Sequence, residues 1–137
     1  MNKMTRIWER LYLGSKNDAE RLKLNSRGIN TVISVCEEKL DRHNRKINYL
    51  HLPVAEGKAI SVGQFDAIID AISENIRWGT VLVHSRFGML RAPILTAAYM
   101  HAVGYKHIDA ALEDIMEVTL MGRLPCNLLD SVKEHLK

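Results

Sequence analysis

Two stretches, Thr31-Val32-Ile33-Ser34-Val35 and Thr80-Val81-Leu82-Val83, are nearly continuous runs of apolar and β-branched residues. Runs this short and this uniformly apolar suit strands covered on both faces, the condition met inside a parallel sheet with helices above and below it. Ile47–Leu52 reads as a third strand, and Ile7–Leu13 as one or two short ones. Between them lie segments of helical period. Asp18–Arg27 predicts a helix closed by Gly28. Ser61-Val62-Gly63-Gln64 is a capping-box pattern, followed by the stripe Phe65, Ile68, Ile69, Ile72 and Ile76. Ala92–Ala102 is apolar on most faces and predicts a core helix. Ile108, Ala111, Leu112, Ile115 and Met116 predict an amphipathic helix, and Leu128, Leu129, Val132 and Leu136 a shorter last one after Pro125. Strands alternating with helices give an α/β class: a mostly parallel central sheet of about four to five strands flanked by helices.

At 137 residues without repeats or linker-like tracts, residues 1–137 read as one domain. The 47% hydrophobic and 26% charged fractions are those of an ordinary globular protein. No run of about 18 apolar residues occurs, so no membrane span is expected. Met1–Glu9 is polar and basic, unlike a secretory signal, which makes the cytoplasm the expected compartment. Cys36 and Cys126 lack a CxxC partner and a cluster of histidines, so neither a metal nor a disulfide is expected. The net charge of +3 is too small to imply a nucleic-acid partner. Arg42-His43-Asn44-Arg45-Lys46 is the one dense basic stretch, most simply a solvated loop.

The chemistry concentrates in Val81-Leu82-Val83-His84-Ser85-Arg86-Phe87-Gly88-Met89-Leu90-Arg91-Ala92-Pro93. A strand ending near His84, a short loop and a helix starting near Arg91 gather loop N–H groups and a helix N-terminus at one point, which favours an anion. Gly88 lets the backbone turn inward, Arg91 offers a planar fork for two phosphate oxygens, and Pro93 suits a first helical turn. Phosphate or sulfate is the expected occupant, contacted by Arg86, Phe87, Gly88, Met89, Leu90 and Arg91. Arg86 and Phe87 equally suit a rim without a specific task.

This segment resembles the His-Cys-x5-Arg motif of the protein tyrosine phosphatase superfamily, with Ser85 in the cysteine position. The likeness extends from about Ile7 to Glu134 and is nearest the compact dual-specificity type. Ile7–Ser15 is similar to that group's opening strand pair, Gly28–Val35 to its "GIthVlnv" strand, and Tyr49–Val54 to the strand before its general-acid loop. The resemblance implies a double displacement through a cysteinyl-phosphate without cofactor or metal. The substrates would be phosphorylated proteins or peptides, or small phosphate esters, with phosphotyrosine first and phosphoserine and phosphothreonine also admitted. His84 would support the loop.

Three positions depart from that pattern. Ser85 places an alcohol where the mechanism needs a thiolate, and no motif assigns it an activating base, so the chain as written is expected to be inactive. Aligning Leu52-Pro53-Val54-Ala55 with the family puts Glu56 in the aspartate general-acid place, with Asp66 as the alternative carboxylate, read as a helix-dipole partner. Ala92 replaces a hydroxyl that many relatives direct at the departing thiolate. The preferred reading is an enzyme lineage carrying an engineered serine. The alternative is a natural pseudophosphatase that binds phospho-ligands. A serine hydrolase is disfavoured, because Val83 and Phe87 stand where the nucleophile elbow needs glycines.

Overall fold

The computed structural model describes residues 4–55, 58–86, 91–119 and 127–137. Five strands form one sheet among these residues: β1 (Thr5–Trp8), β2 (Leu11–Ser15), β3 (Ile29–Ser34), β4 (Asn48–His51) and β5 (Thr80–Ser85), in the order β1-β2-β5-β3-β4. Only β1 runs antiparallel to its neighbour; β2, β5, β3 and β4 are mutually parallel. The mixed α/β class with a mostly parallel sheet is therefore the one expected from the two apolar runs.

Side-chain alternation explains why those runs had to be apolar throughout. Leu11, Leu13, Ile33, Val81 and Val83 enter the larger core, while Tyr12, Val32 and Leu82, one residue out of step, enter a second core on the opposite face. The larger core is covered by α2 (Val62–Ile76), α3 (Arg91–Ala102), α4 (Ile108–Val118) and α5 (Asn127–His135). The smaller one is covered by α1 (Lys16–Glu20), a 3₁₀ turn (Leu22–Leu24) and the β3–β4 crossover, through Ala19, Leu22, Leu40 and Ile47.

Every residue of α3 from Arg91 to Met100 is buried, as the absence of a polar face predicts, and Pro93 lies in its first turn. The capping box before α2 forms as read, with Ser61 Oγ accepting from Gln64 N and Gln64 Oε1 from Ser61 N. In α4 the stripe is Ile108, Ala111, Leu112 and Ile115; Met116, assigned to it from spacing, is instead 47% exposed.

One helix differs from its reading. The segment 18–27 does not form a continuous helix: α1 begins earlier, at Lys16, and ends at Glu20, and Leu22–Leu24 tightens into the 3₁₀ turn. Ser15 caps α1, its Oγ accepting from Asp18 N while the buried Asp18 carboxylate accepts from Ser15 N at 2.8 Å. Past the turn, Asn25 binds both the N–H and the C=O of Ile29, substituting for helical partners. Gly28, between them, has φ +67°, the left-handed region where a side chain would strain the backbone. Among the described residues no helix is long and apolar enough to cross a membrane.

Candidate active site

The parallel strands β2, β5 and β3 all end at one edge of the sheet, where Ser15 lies opposite Ser85 and Ser34 opposite His84. A parallel sheet collects its functional groups at the carboxyl ends of its strands, and β5 feeds α3 there. His84 and Ser85 are almost fully buried at 0% and 1% exposure, and Arg91, the first residue of α3, is 6% exposed. Ala92, the next residue, is wholly buried. Phe87, Gly88, Met89, Leu90 and Glu56, together with Pro125 and Cys126, lie outside the described residues.

His84 is held from two sides. Its Nε2 lies 2.6 Å from Ser34 Oγ and its Nδ1 3.4 Å from the Ser85 carbonyl oxygen. A carbonyl only accepts, so the Nδ1 proton points to Ser85 O and Nε2 accepts from the Ser34 hydroxyl. The ring is thus a neutral strut between the ends of β3 and β5. Burial, the largest cause, depresses its pKa from the usual 6.5 to about 4, against a smaller upward pull from the Ser85 backbone. Since the unfolded chain protonates this ring near pH 6.5 and the folded one only near 4, the unfolded state binds more protons between those values. Stability therefore rises with pH across that window, and acidification through it removes on the order of 3 kcal/mol. Denaturant melts from pH 7 to 4.5 should show this slope, and a His84→Asn variant should be weaker at pH 7 but flatter with pH. An unchanged slope in the variant would locate the proton uptake elsewhere.

Arg91 Nη1 donates to the Val54 carbonyl at 2.9 Å, and Val54 N in turn donates to Val35 O. That pair of bonds ties the segment after β4 to the first turn of α3 and fixes the guanidinium at the strand ends. Arg86, exposed at the rim, pairs with Glu38 across the site at 2.7 Å. Its backbone carbonyl accepts from Lys16 N. Glu38 is held below its ordinary carboxylate range, first by its own backbone N–H, then by the Arg86 charge and, more weakly, by Arg91. Ser85 Oγ is buried and has no hydrogen-bond partner among the described residues. A buried hydroxyl in that condition costs free energy unless a ligand or neighbouring loop group meets it.

Cys36 lies near this edge, buried, its thiol donating to Glu38 O at 3.3 Å. Burial above all, then the Glu38 charge, pushes its pKa up, with Arg91 opposing more weakly. That is the environment of a packing thiol, as its place after a strand suggested. Asp66 is exposed in the second turn of α2, beyond the first turn in which a carboxylate gains from the helix dipole, so the helix-dipole reading does not hold. Among the described residues no cluster of three or more His, Cys, Asp or Glu is arranged to hold a metal.

The structure thus joins His84, Ser85, Arg86 and Arg91 at one site, and adds three partners that motif spacing did not supply: Ser34, Glu38 and the Val54 carbonyl. Ser34 carried a signal, being a hydroxyl at the end of a mostly apolar buried strand, which must find a partner. Glu38 and Val54 gave none, because crossover geometry brings them in.

Residues 11–123 match the family model described as "Dual specificity phosphatase, catalytic domain". The chain is 30% identical over 101 residues to a probable dual specificity protein phosphatase of Dictyostelium discoideum, covering 73% of this chain and 26% of that protein. It is 34% identical over 100 residues to dual specificity protein phosphatase 18 of Bos taurus, covering 71% and 53%. The chain therefore spans about a quarter and about half the length of these two relatives. The crystal structure of DUSP15 superposes with a TM-score of 0.81 at 28% identity, covering 99% of this chain and 86% of that one. With its catalytic-domain model matched over residues 11–123 and relatives at 30% and 34% identity, the chain belongs to the dual specificity phosphatase family.

Proposed function

We propose that this chain is a phosphomonoester-binding domain of cysteinyl-phosphate lineage that binds phosphorylated tyrosine, and phosphoserine or phosphothreonine, but does not hydrolyse them as written. The observation that carries this reading is the pairing of a buried, anchored Arg91 with a buried Ser85 hydroxyl that lacks a partner among the described residues. A guanidinium fork at the start of a twelve-residue helix supports an anion there. An unactivated serine supports binding without attack.

With cysteine at position 85, the reaction proceeds in two balanced steps. The thiolate attacks phosphorus, forming the S–P bond as the P–O bond to the leaving group breaks, and Glu56 gives its proton to the departing oxygen. Water then attacks phosphorus, Glu56 takes a proton from it, and the S–P bond breaks to release inorganic phosphate and the thiolate. Arg91 and the loop N–H groups carry the charge throughout. The expected cytoplasmic setting would keep such a thiol reduced. An engineered serine and a natural binding module give the same behaviour for the chain as written; restoring cysteine separates them.

The test is titration with inorganic phosphate, followed by amide chemical shifts. Shifts at millimolar phosphate should concentrate in residues 84–92, and Arg91→Lys, which keeps the charge and loses the fork, should weaken binding about tenfold. No perturbation, or perturbation only elsewhere, overturns the reading.

A further inference from the structure

The basic stretch that the sequence leaves as a solvated loop does not stand alone. The fold lays it opposite the 3₁₀ turn, forming the two walls of a groove of about 680 Å³ on the face of the smaller core. Arg21 and Lys23 stand on one wall, and Arg42, Arg45 and Lys46 on the other, all exposed. None of these five forms an ion pair among the described residues, and the one carboxylate lining the groove, Glu20, is engaged by Lys16 Nζ and Asp41 N. The whole chain carries 19 basic against 16 acidic side chains, so five against one is a strong local excess.

The groove is also built rather than incidental. Asn44 Nδ2 donates to Leu22 O at 2.9 Å, joining one wall to the other. Asn44 N donates to Tyr49 Oη and Lys46 N to Asn44 Oδ1, which holds the basic loop in shape. Ala19, Leu22 and Tyr49 add apolar lining, and Leu24, 87% exposed, offers an apolar contact at the edge. An adjoining cavity of about 250 Å³ shares His43 and Tyr49 with the groove and is lined further on by Ser34, the residue bonded to His84. The second cavity thus leads from the basic groove toward the end of β3.

We infer that this groove docks an acidic, extended segment of the phosphorylated protein partner, with the phosphate in the Ser85–Arg91 loop and glutamate- or aspartate-rich residues between the two basic walls. The inference rests on the phosphomonoester reading for the phosphate end only. Concavity and apolar lining suit a peptide with apolar as well as acidic side chains, whereas a bilayer surface needs a broad exposed face. The aromatic ring that could stack a nucleic-acid base, Tyr49, already meets the His43 ring edge-on at 4.5 Å.

The experiment uses the chain as written and a fluorescein-labelled peptide of six glutamates around one leucine, with an all-glutamine peptide as control. The acidic peptide should bind at least about tenfold tighter than its neutral counterpart, weaken as salt rises, and shift amides in residues 20–24 and 42–46. R42E/R45E/K46E on one wall, and R21E/K23E on the other, should each lower its affinity about tenfold while leaving phosphate-induced shifts at the loop unchanged. Equal binding of the two peptides, or no effect of either charge reversal, overturns the inference. So does tighter binding to phosphatidylserine vesicles or to a single-stranded oligonucleotide. Acidic-peptide binding that survives when the loop shows no phosphate shift sinks the phosphate reading and leaves the groove standing.

Discussion

Ser85→Cys should create hydrolysis of an aryl phosphate such as p-nitrophenyl phosphate where the chain as written shows none above background. The gain should be on the order of 10⁶-fold, the scale of the loss when a hydrolase is stripped of its nucleophile. Position 85 is buried at the end of β5, its side-chain oxygen has no partner among the described residues, and Arg91 starts the next helix. A thiol there faces a positive field, the condition that draws a cysteine pKa well below its free value. Cys36 supplies an internal contrast, since burial and Glu38 push its thiol the other way. Iodoacetamide at pH 6 should therefore label the new cysteine and spare Cys36, and a Cys36→Ala change should leave the new activity intact. A folded Ser85→Cys protein that stays inactive from pH 5 to 8 would mean the remaining site has lost catalytic competence, and the natural binding-module reading would replace the engineered-serine one.

The candidate site was legible in the sequence where one short segment determines it. His84, Ser85 and Arg91 are fixed relative to one another by a strand, a loop and a helix start, so spacing alone nearly specifies their geometry. Contacts made by chain segments far apart were not legible. The Ser34–His84 bond joins residues 50 apart, Glu38–Arg86 residues 48 apart, and Arg91–Val54 residues 37 apart. Each depends on β5 lying between β2 and β3, an order that hydrophobic periodicity does not encode. The first helix failed for a different reason. Its pattern was read as one helix because Ala19 and Leu22 lie three apart, yet Asn25 takes the Ile29 backbone groups and ends helical propagation locally. Likewise the basic loop looked featureless in sequence, because its opposing wall comes from a segment some twenty residues earlier.

In a Ser85→Cys background, Glu56→Gln should slow hydrolysis of poor leaving groups, such as alkyl and unactivated phenyl phosphates, by about 10²–10⁴-fold. The described neighbour Val54 motivates this. Its carbonyl is bonded to Arg91, and a residue two positions along the chain is at most about 7 Å of backbone away. Activated leaving groups need little protonation, so p-nitrophenyl phosphate should lose far less. The pH profile provides an independent readout. With Glu56 present, the rate should rise as the thiolate forms and fall as the acid deprotonates; in Glu56→Gln the alkaline fall should flatten while the acidic limb stays. Asp66→Asn is the control, because Asp66 is exposed in the second turn of α2, and it should alter neither leaving-group sensitivity nor the profile. If Glu56→Gln changes nothing and Asp66→Asn removes the alkaline limb, the proton comes from α2. If neither variant changes either measurement, the restored enzyme expels its leaving groups without a carboxylic acid from these positions, and the alignment of 55–65 with the family's acid loop is wrong.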